Sequence, residues 1–419
     1  MMENLALYGG EKAKKTPWGT GKRFGKEELL QLEEALEQNT LFYWYGKKVN
    51  QFTRKFADMY GARYCVATSS CTAAIHVALG AVGVTAGDEV ITTAITDMGT
   101  VIGILYQNAI PVFADLQPHT YNPDPKSIAS KITDKTKAII VVHLAGNAAD
   151  MEPIMEIARR HGIMVIEDCA QSYLSDYKGK LAGTFGDIGC FSTNDFKHIS
   201  TGDGGMVIMN DEESYHKALR FADKNYDRLS DDPAASRKIA YLAPNYRMTE
   251  LQGAVGIAQL DRLAWICAQR NRYGDGLTAG IRDLPGICVP EVAEGNKSTY
   301  WFYMLRINEK EAGLSRDEFC KALQAEGVGC SAGYIPTCVY EYDLFKNKNA
   351  YDGTDCPFGC RYYGRDIEYK KGLCPVSEEI LETAVRLTVD EFYTREDLRE
   401  VIAAIRKVSS HFRGISSHF

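Results

Sequence analysis

Lys197 lies in a segment whose composition is unusual around a charged side chain. The segment, residues 189–206, is dense in glycine and carries apolar residues on both sides of the lysine, and Ser192 precedes it closely. A buried lysine loses part of its preference for the charged form, so its amine becomes usable for Schiff-base chemistry. A lysine whose stem packs while its amine reaches water would have the same sequence. The segment therefore predicts a loop that presents an amine and a hydroxyl, with the purely structural interpretation still open.

An acid and a set of small hydroxyl residues point to the same kind of site. Asp168 ends an apolar run at residues 162–168, and ligands bind at the carboxyl edge of open parallel sheets. Residues 70–72 precede an alanine-rich helix whose first amides can hold an anion. Each feature alone is also explained by ordinary helix capping. An amine, an acid and an anion cradle together fit the contacts that pyridoxal phosphate needs.

Short apolar runs alternate with helical stretches between residues 88 and 211. Runs that are nearly continuous in β-branched residues are typical of parallel strands buried on both faces. They lie at residues 90–93, 110–115, 138–143 and 162–168. Asp150 is expected to cap the helix between the last two runs, and Gly162 to end it. The sequence therefore predicts an α/β fold with a mostly parallel central sheet.

The pattern changes after about Ala264 to a smaller α+β region. Residues 300–307 predict a strand and residues 315–326 predict a helix. We therefore expect a large cofactor-binding α/β domain at residues 1–264, including the N-terminal segment, and a small α+β domain at residues 265–419.

Charge and cysteine content exclude several classes of protein. A net charge of -7 over 419 residues does not fit nucleic-acid binding, which needs a basic field. No apolar run approaches the roughly 20 residues of a membrane helix, and no G-x-G-x-x-G motif marks a nicotinamide site. The 12 cysteines, without a secretory signal, are expected to be reduced thiols in the cytoplasm. Cys356, Cys360 and Cys374 lack a fourth, closely paired ligand, so no metal is predicted.

The chain resembles the DegT/DnrJ/EryC1/StrS family of sugar aminotransferases over nearly its whole length. The stretch at residues 166–206 is the most specific part of the resemblance. The other matching motifs lie at residues 24–29, 52–57, 183–192, 245–252 and 374–379. The resemblance implies the fold of aspartate aminotransferase, which is fold type I among pyridoxal-phosphate enzymes, with pyridoxal 5′-phosphate as the cofactor. It also implies a homodimer with shared active sites.

The resemblance implies a role for each matching residue. Lys197 matches the lysine that carries the cofactor as a Schiff base and later moves the proton. Asp168 matches the acid that keeps the pyridine nitrogen protonated, and Gln171 matches the residue beside the ring face and its hydroxyl. Thr72 and Ser192 match ligands of the cofactor phosphate.

Three further positions concern the partner subunit or depart from the family pattern. Asn245 resembles the asparagine that reaches the phosphate from the neighbouring subunit. Cys71 stands where the family usually has glycine, so the phosphate cradle is expected to be slightly reshaped. Asp97 stands near the place of an aromatic residue that stacks on the ring, where a carboxylate would change ring electronics or contact the substrate. Met98 is a candidate for the missing apolar face.

The sequence thus predicts an aminotransferase that moves an amino group from glutamate or glutamine to a keto-sugar, free or nucleotide-linked, or to a keto-cyclitol. One alternative is the 3-dehydratase activity of the same family, in which histidine replaces the lysine; here Lys197 is present, with His198 beside it. A second alternative is a non-enzymatic cofactor-binding regulatory protein, although no helix-turn-helix or basic patch is found. Tyr334 and the segment at residues 346–372 are candidate substrate contacts, the segment being otherwise a solvated loop.

Overall fold

Strands and helices alternate along most of the chain. The computed structural model describes residues 4–416. The strands are β1 Tyr64–Thr68, β2 Glu89–Thr93, β3 Ile110–Ala114, β4 Thr136–Val142, β5 Met164–Asp168, β6 Asp176–Tyr177, β7 Lys180–Leu181, β8 Ile188–Ser192, β9 Gly205–Met209, β10 Ile287–Cys288, β11 Phe302–Ile307, β12 Cys330–Ala332 and β13 Ala384–Thr388. The helices are α1 Lys26–Glu37, α2 Lys48–Tyr60, α3 Cys71–Ala81, α4 Met98–Tyr106, α5 Pro125–Lys131, α6 Met151–His161, α7 Glu212–Ala222, α8 Pro233–Ser236, α9 Glu250–Ile281, α10 Glu309–Ala312, α11 Arg316–Ala325, α12 Asp343–Lys346, α13 Pro375–Thr383 and α14 Arg395–Ser416.

The central sheet has seven strands in the order β1-β9-β8-β5-β4-β2-β3. Neighbouring strands are parallel, except that β9 runs antiparallel to both β1 and β8. Every residue of β2, β8 and β9 is buried, as expected for strands that helices cover on both faces. The predicted α/β fold with a mostly parallel sheet is confirmed.

The four predicted apolar runs form β2, β3, β4 and β5, and the helix between the last two is α6. Gly162 ends α6 with a φ of 64°, a left-handed conformation that glycine adopts without steric cost. Asp150 occupies the N-cap position of α6, but its side chain does not cap the helix. Its Oδ1 instead accepts a hydrogen bond from the hydroxyl of Tyr177 at 2.5 Å. The capping prediction is therefore right in position and wrong in its hydrogen bond.

A smaller antiparallel sheet lies towards the C-terminus in the order β10-β11-β13-β12. Strand β11 and helix α11 confirm the elements predicted at residues 300–307 and 315–326. Helix α9 runs without interruption through residue 264, so the division into domains at 1–264 and 265–419 stays a prediction. Within residues 4–416, no helix is both long enough and apolar enough to cross a membrane.

The segment at residues 346–372 is anchored to the edge of the central sheet by buried aromatic side chains. Tyr363 and Tyr369 are both buried. The hydroxyl of Tyr363 donates to Oε1 of Glu89 at 2.9 Å, and that of Tyr369 donates to the carbonyl of Pro111 at 2.7 Å. For these two tyrosines the solvated-loop interpretation is wrong, because both are buried and hydrogen-bonded to the edge strand β3 and to its neighbour β2.

We expect Tyr363→Phe to lower the free energy of unfolding by about 1.5–3 kcal/mol, since a hydrogen bond to a charged group is lost. Glu89 is only 3% exposed, so water cannot easily replace the missing donor. The neighbouring Tyr362 is 58% exposed and provides a matched control, Tyr362→Phe, with little expected effect. Urea unfolding of the three proteins measures the difference. Equal midpoints for Tyr363→Phe and Tyr362→Phe would show that the contact does not anchor the segment.

Candidate active site

A cavity of about 250 Å³ lies where β5 and β8 end and where α3 and α4 begin. Its wall brings together most of the residues that the sequence singles out. These are Cys71, Thr72, Asp97, Asp168, Gln171, Ser192 and Lys197. Asn245 is exposed and does not line this cavity. Residues far apart in the chain therefore meet at the carboxyl edge of the sheet, where α/β folds place their ligands.

One end of the cavity is formed by the first turn of α3. Ser70 caps this helix, and its Oγ accepts a hydrogen bond from the amide of Ala73 at 3.1 Å. The amides of Cys71 and Thr72 lie in the first turn, where the helix offers them no acceptor and carries partial positive charge. Gly205 lies directly behind, and a Cβ there would come within 2.4 Å of the carbonyl oxygen of Ser70. Glycine at 205 thus lets β9 approach the turn that forms the anion cradle.

Two hydroxyl groups extend the cradle. Thr72 lies so close to Gly99 that a Cβ on this glycine would be 2.6 Å from Oγ1 of Thr72. The hydroxyl of Ser192 accepts a hydrogen bond from the amide of Asn194 at 3.3 Å, at the start of the loop that leads to Lys197. The hydroxyls and the helix start form a donor set suited to a phosphate group.

Asp168 is buried, and both of its carboxylate oxygens are held. Oδ1 accepts a hydrogen bond from the amide of Ala170 at 3.0 Å, and Oδ2 accepts one from the hydroxyl of Thr100 at 2.7 Å. The hydroxyl of Thr96 lies 2.6 Å from that of Thr100. Burial raises the pKa of Asp168, while these hydrogen bonds and the charge of Lys197 act in the opposite direction. A carboxylate in this setting is stabilised by a cation placed against it.

Lys197 is half-buried and reaches the cavity from a short turned loop. Its amide donates to the carbonyl of Asn194 at 2.9 Å, and its own carbonyl accepts a hydrogen bond from Arg23 at 2.5 Å. Burial lowers the pKa of Lys197, and the nearby Cys71, Asp168 and Asp97 oppose this shift. The lowered pKa favours the neutral amine, the form that acts as a nucleophile.

Gln171 joins the cavity to the part of the chain near the small sheet. Its Oε1 accepts from the amide of Ala145 at 2.8 Å, and its Nε2 donates to the hydroxyl of Tyr334 at 3.2 Å. Tyr334 is thus placed beside a predicted site residue, as a candidate substrate contact should be.

Sequence reasoning did not single out Trp301, whose ring centroid lies 3.6 Å from Nζ of Lys197. A tryptophan one residue before a buried strand was the available indication, but it also fits an ordinary core strand.

Asp97 has a structural task that the sequence did not reveal. It is the N-cap of α4, and its Oδ1 accepts from the amide of Gly99 at 2.8 Å. It is exposed at the edge of the cavity. Met98 packs partly against the hydrophobic core and does not line the cavity, so it does not provide the apolar face considered for it.

A buried network lies on the opposite side of β5 from the cavity. Nε2 of His143 is 2.9 Å from Oε2 of Glu167, and Nδ1 of His143 accepts from the amide of Ala149 at 3.0 Å. Glu167 also accepts from the amides of the turn at residues 183–186. Cys169 completes a group whose ligand atoms lie within 4.8 Å of one another. Because both histidine nitrogens already have partners, this network is explained as support for β5 and for the turn before β8.

The segment that carries Asn245 is attached to the cradle by its backbone. The carbonyl of Tyr246 accepts a hydrogen bond from the amide of Ser69 at 2.8 Å, and the amide of Lys224 donates to the carbonyl of Pro244 at 2.7 Å. The backbone next to Asn245 is therefore fixed beside the anion cradle of this chain, while Asn245 itself is exposed.

Comparison with known proteins places this geometry in a family. The model of the DegT/DnrJ/EryC1/StrS aminotransferase family matches residues 22–367. The chain belongs to this family. A spore coat polysaccharide biosynthesis protein of Bacillus subtilis is 35% identical over 349 residues, which cover 82% of this chain and 89% of the relative. A putative L-glutamine:3-amino-2,3-dideoxy-scyllo-inosose aminotransferase of Micromonospora echinospora is 33% identical over 420 residues, covering 97% of both chains.

Solved structures of aminotransferases share the fold of this family member. The X-ray structure of an aminotransferase from Psychrobacter cryohalolentis superposes with a TM-score of 0.83 at 29% identity, covering 95% of this chain and 99% of the other. The resemblance seen in the sequence and the fold that it implies are therefore confirmed, and the protein is an aminotransferase of the DegT/DnrJ/EryC1/StrS family.

Proposed function

We propose that this aminotransferase uses pyridoxal 5′-phosphate on Lys197 to move an amino group from glutamate or glutamine to a keto-sugar or keto-cyclitol. The observation that carries the proposal is the convergence of three groups on one cavity: the amine of Lys197, the buried carboxyl of Asp168 and the anion cradle at the start of α3. When bound, the cofactor supplies an aldehyde that takes up nitrogen and a ring that withdraws electrons.

The donor set of the cavity fits this cofactor from end to end. The first-turn amides of α3, with the hydroxyls of Thr72 and Ser192, would hold the phosphate. Asp168 would hold the protonated ring nitrogen, and that cation would offset the burial that raises the pKa of this carboxyl. Cys71 and Gln171 also line the cavity.

Lys197 and Asp168 have different tasks in this proposal. Nζ of Lys197 is the nucleophile that would hold the cofactor. When the amine is free, it would take a proton from the substrate carbon and deliver it to a carbon of the cofactor. The lowered pKa of Lys197 supports both uses, because the amine must be neutral to accept the proton. Asp168 acts by its fixed charge, which its hydrogen bonds from Thr100 and Ala170 keep in place.

The acceptor class is supported by the names of the relatives, and transamination rather than dehydration is supported by the lysine at position 197. The relative from Micromonospora echinospora is named for a glutamine donor and a cyclitol acceptor, and the one from Bacillus subtilis for polysaccharide biosynthesis. The alternative dehydratase activity uses histidine in place of the lysine. His198 is fully buried, with Nε2 3.0 Å from the carbonyl oxygen of Thr299, and it does not line the cavity. It is therefore not placed to substitute for Lys197.

The exposed position of Asn245 supports a homodimer with shared active sites. Large apolar side chains precede it on the surface: Ile239 is 52% exposed and Leu242 is 95% exposed. Exposed apolar patches of this kind mark protein interfaces. In the proposed dimer these apolar side chains lie against the partner, and Asn245 reaches the phosphate in the partner's cavity.

The free state of all 12 cysteines supports a reducing, cytoplasmic compartment.

An absorbance spectrum tests the proposed half-reaction. The purified protein with pyridoxal 5′-phosphate is expected to show a visible band, which glutamine or glutamate bleaches and which D-alanine leaves unchanged. Comparing the two donors at equal concentration also identifies which one the enzyme prefers. The Lys197→Ala variant is the control, since it cannot hold the cofactor covalently. A band that no amino donor disturbs would reject the aminotransferase mechanism for this cavity.

A further inference from the structure

Trp301 contacts the proposed nucleophile from outside the central sheet. The centroid of its ring lies 3.6 Å from Nζ of Lys197. Its indole Nε1 donates a hydrogen bond at 2.6 Å to the carbonyl of Phe196, the residue directly before the lysine. We infer that Trp301 is a positioning residue that holds Lys197 by both its amine and its backbone whenever the amine is free. This inference rests on the proposed role of Lys197.

Trp301 is itself held by contacts of its backbone and of its ring. Its backbone amide donates to the carbonyl of Ala145 at 3.0 Å, and its carbonyl accepts from Arg270 at 3.3 Å. Its ring packs edge-to-face on Tyr334, with centroids 5.8 Å apart and an interplanar angle of 82°. Tyr334 accepts from Gln171, and Gln171 accepts from the amide of Ala145, which completes the circuit. A side chain fixed in this way can fix another.

A close backbone approach brings Trp301 to the cavity. Gly146 has a φ of 90°, and a Cβ on it would lie 2.4 Å from the amide nitrogen of Tyr300. The carbonyl of Gly146 accepts from the amide of Thr299 at 2.9 Å. Glycine at 146 is therefore required for the chain before β11 to pass this close to the end of β4.

The contact also affects which form of the amine is favoured. The face of an indole ring attracts a cation, so Trp301 stabilises the protonated amine. Asp97, Asp168 and Cys71 act on Lys197 in the same direction, while burial acts in the opposite direction. Trp301 thus limits how far burial lowers the pKa of Lys197. The amine can then hold the proton that it removes long enough to return it.

Competitive labelling of Lys197 by acetic anhydride tests this role without cofactor. The full-length protein, stripped of any bound cofactor, is labelled between pH 6 and 11, and the modified peptide is quantified by mass spectrometry. For Trp301→Leu, the midpoint of labelling is expected to fall by about one pH unit, because the cation is no longer stabilised. Trp301→Phe keeps a ring face and is expected to keep the midpoint. Trp265→Leu is the control, since Trp265 packs on Phe392 away from the cavity. An unchanged or higher midpoint in Trp301→Leu overturns the inference.

A second measurement leaves the tryptophan in place, in case Trp301→Leu does not fold. Indole fluorescence of the wild-type protein is titrated with pH beside that of Lys197→Met. We expect a titration step in the wild-type protein that is missing from the variant, and superimposable curves would overturn the inference. The proposed function is tested separately, by borohydride reduction with pyridoxal 5′-phosphate and peptide mapping. If Lys197 carries no label there, the proposed function fails, while the titration still decides the contact between Trp301 and Lys197.

Discussion

Lys197→Ala is expected to lower kcat by about 10⁴-fold or more, the largest loss from any single replacement in this protein. In the proposed mechanism, the variant lacks both the nucleophile and the group that moves the proton. No other lysine lines the cavity among the residues that the structure describes. Steady-state assays with the preferred amino donor and a keto-sugar or keto-cyclitol acceptor measure the loss, and thermal unfolding confirms that the variant is folded.

Chemical rescue separates the two tasks of this lysine. Added ethylamine is expected to restore part of the proton transfer in Lys197→Ala, because a free amine can enter the space that the side chain leaves. Lys217 provides the control, since it lies on α7 in an exposed ion pair with Glu213. Lys217→Ala is expected to retain full activity. Retention of more than a tenth of wild-type kcat by Lys197→Ala would show that the reacting amine is elsewhere.

Asp168→Asn is expected to lower kcat by about 10²–10³-fold. The amide keeps the shape of the carboxylate and removes its charge, so the ring nitrogen of the proposed cofactor would lose the anion that keeps it protonated. The measurement is kcat together with the dissociation constant of the cofactor. Asp317→Asn, an exposed change on α11, is the control for loss of one negative charge. Full activity in Asp168→Asn would mean that the ring nitrogen does not depend on this carboxylate.

Thr100→Val tests the same carboxyl group by a milder change, which keeps its charge and removes one of its hydrogen bonds. The replacement removes the 2.7 Å hydrogen bond to Oδ2 and leaves the one from Ala170. A hydrogen bond to the charged form lowers the pKa of a carboxyl group, so its loss raises the pKa of Asp168 beyond the increase that burial already causes. The acid limb of the pH profile of kcat/KM is therefore expected to move to higher pH. An unmoved limb would show that Thr100 does not act through Asp168.

The sequence could predict the sheet and three corners of the cavity for one physical reason. Parallel strands buried on both faces leave continuous apolar runs, and their carboxyl ends lie at one edge of the sheet. Asp168 ends one such strand and Ser192 ends another, while the turn at residues 70–72 starts a helix at the same edge. Lys197 follows Ser192 by only five residues and therefore lies at the same edge of the sheet. These residues are positioned by short-range connections, which patterns in the sequence can detect.

Contacts between distant elements could not be predicted in this way. Trp301 and Phe196, the residue before Lys197, are 105 positions apart in the chain and are joined by a hydrogen bond. No periodicity in the sequence connects them. Tyr363 and Tyr369 lie in a polar, glycine-rich stretch without a regular period, so their burial against the sheet edge left no pattern. Asp150 was expected to cap α6, but Tyr177 offered a hydroxyl from a hairpin whose position the sequence did not fix.

The lining of the cavity and the aromatic residues that contact this lining come from separate stretches of the chain. Apart from Asn245, the residues proposed to hold the cofactor lie between positions 71 and 197, whereas Trp301 and Tyr334 enter beside the small sheet. Mutations around Tyr334 can therefore change the surroundings of the cavity while Asp168 and the anion cradle, which lie in the earlier stretch, are inherited unchanged. We expect such a division to let natural selection alter contacts near Tyr334 without rebuilding the proposed cofactor site. Tyr334 and its neighbours, with Trp301 left in place, are therefore the residues to exchange between relatives in a search for a new acceptor.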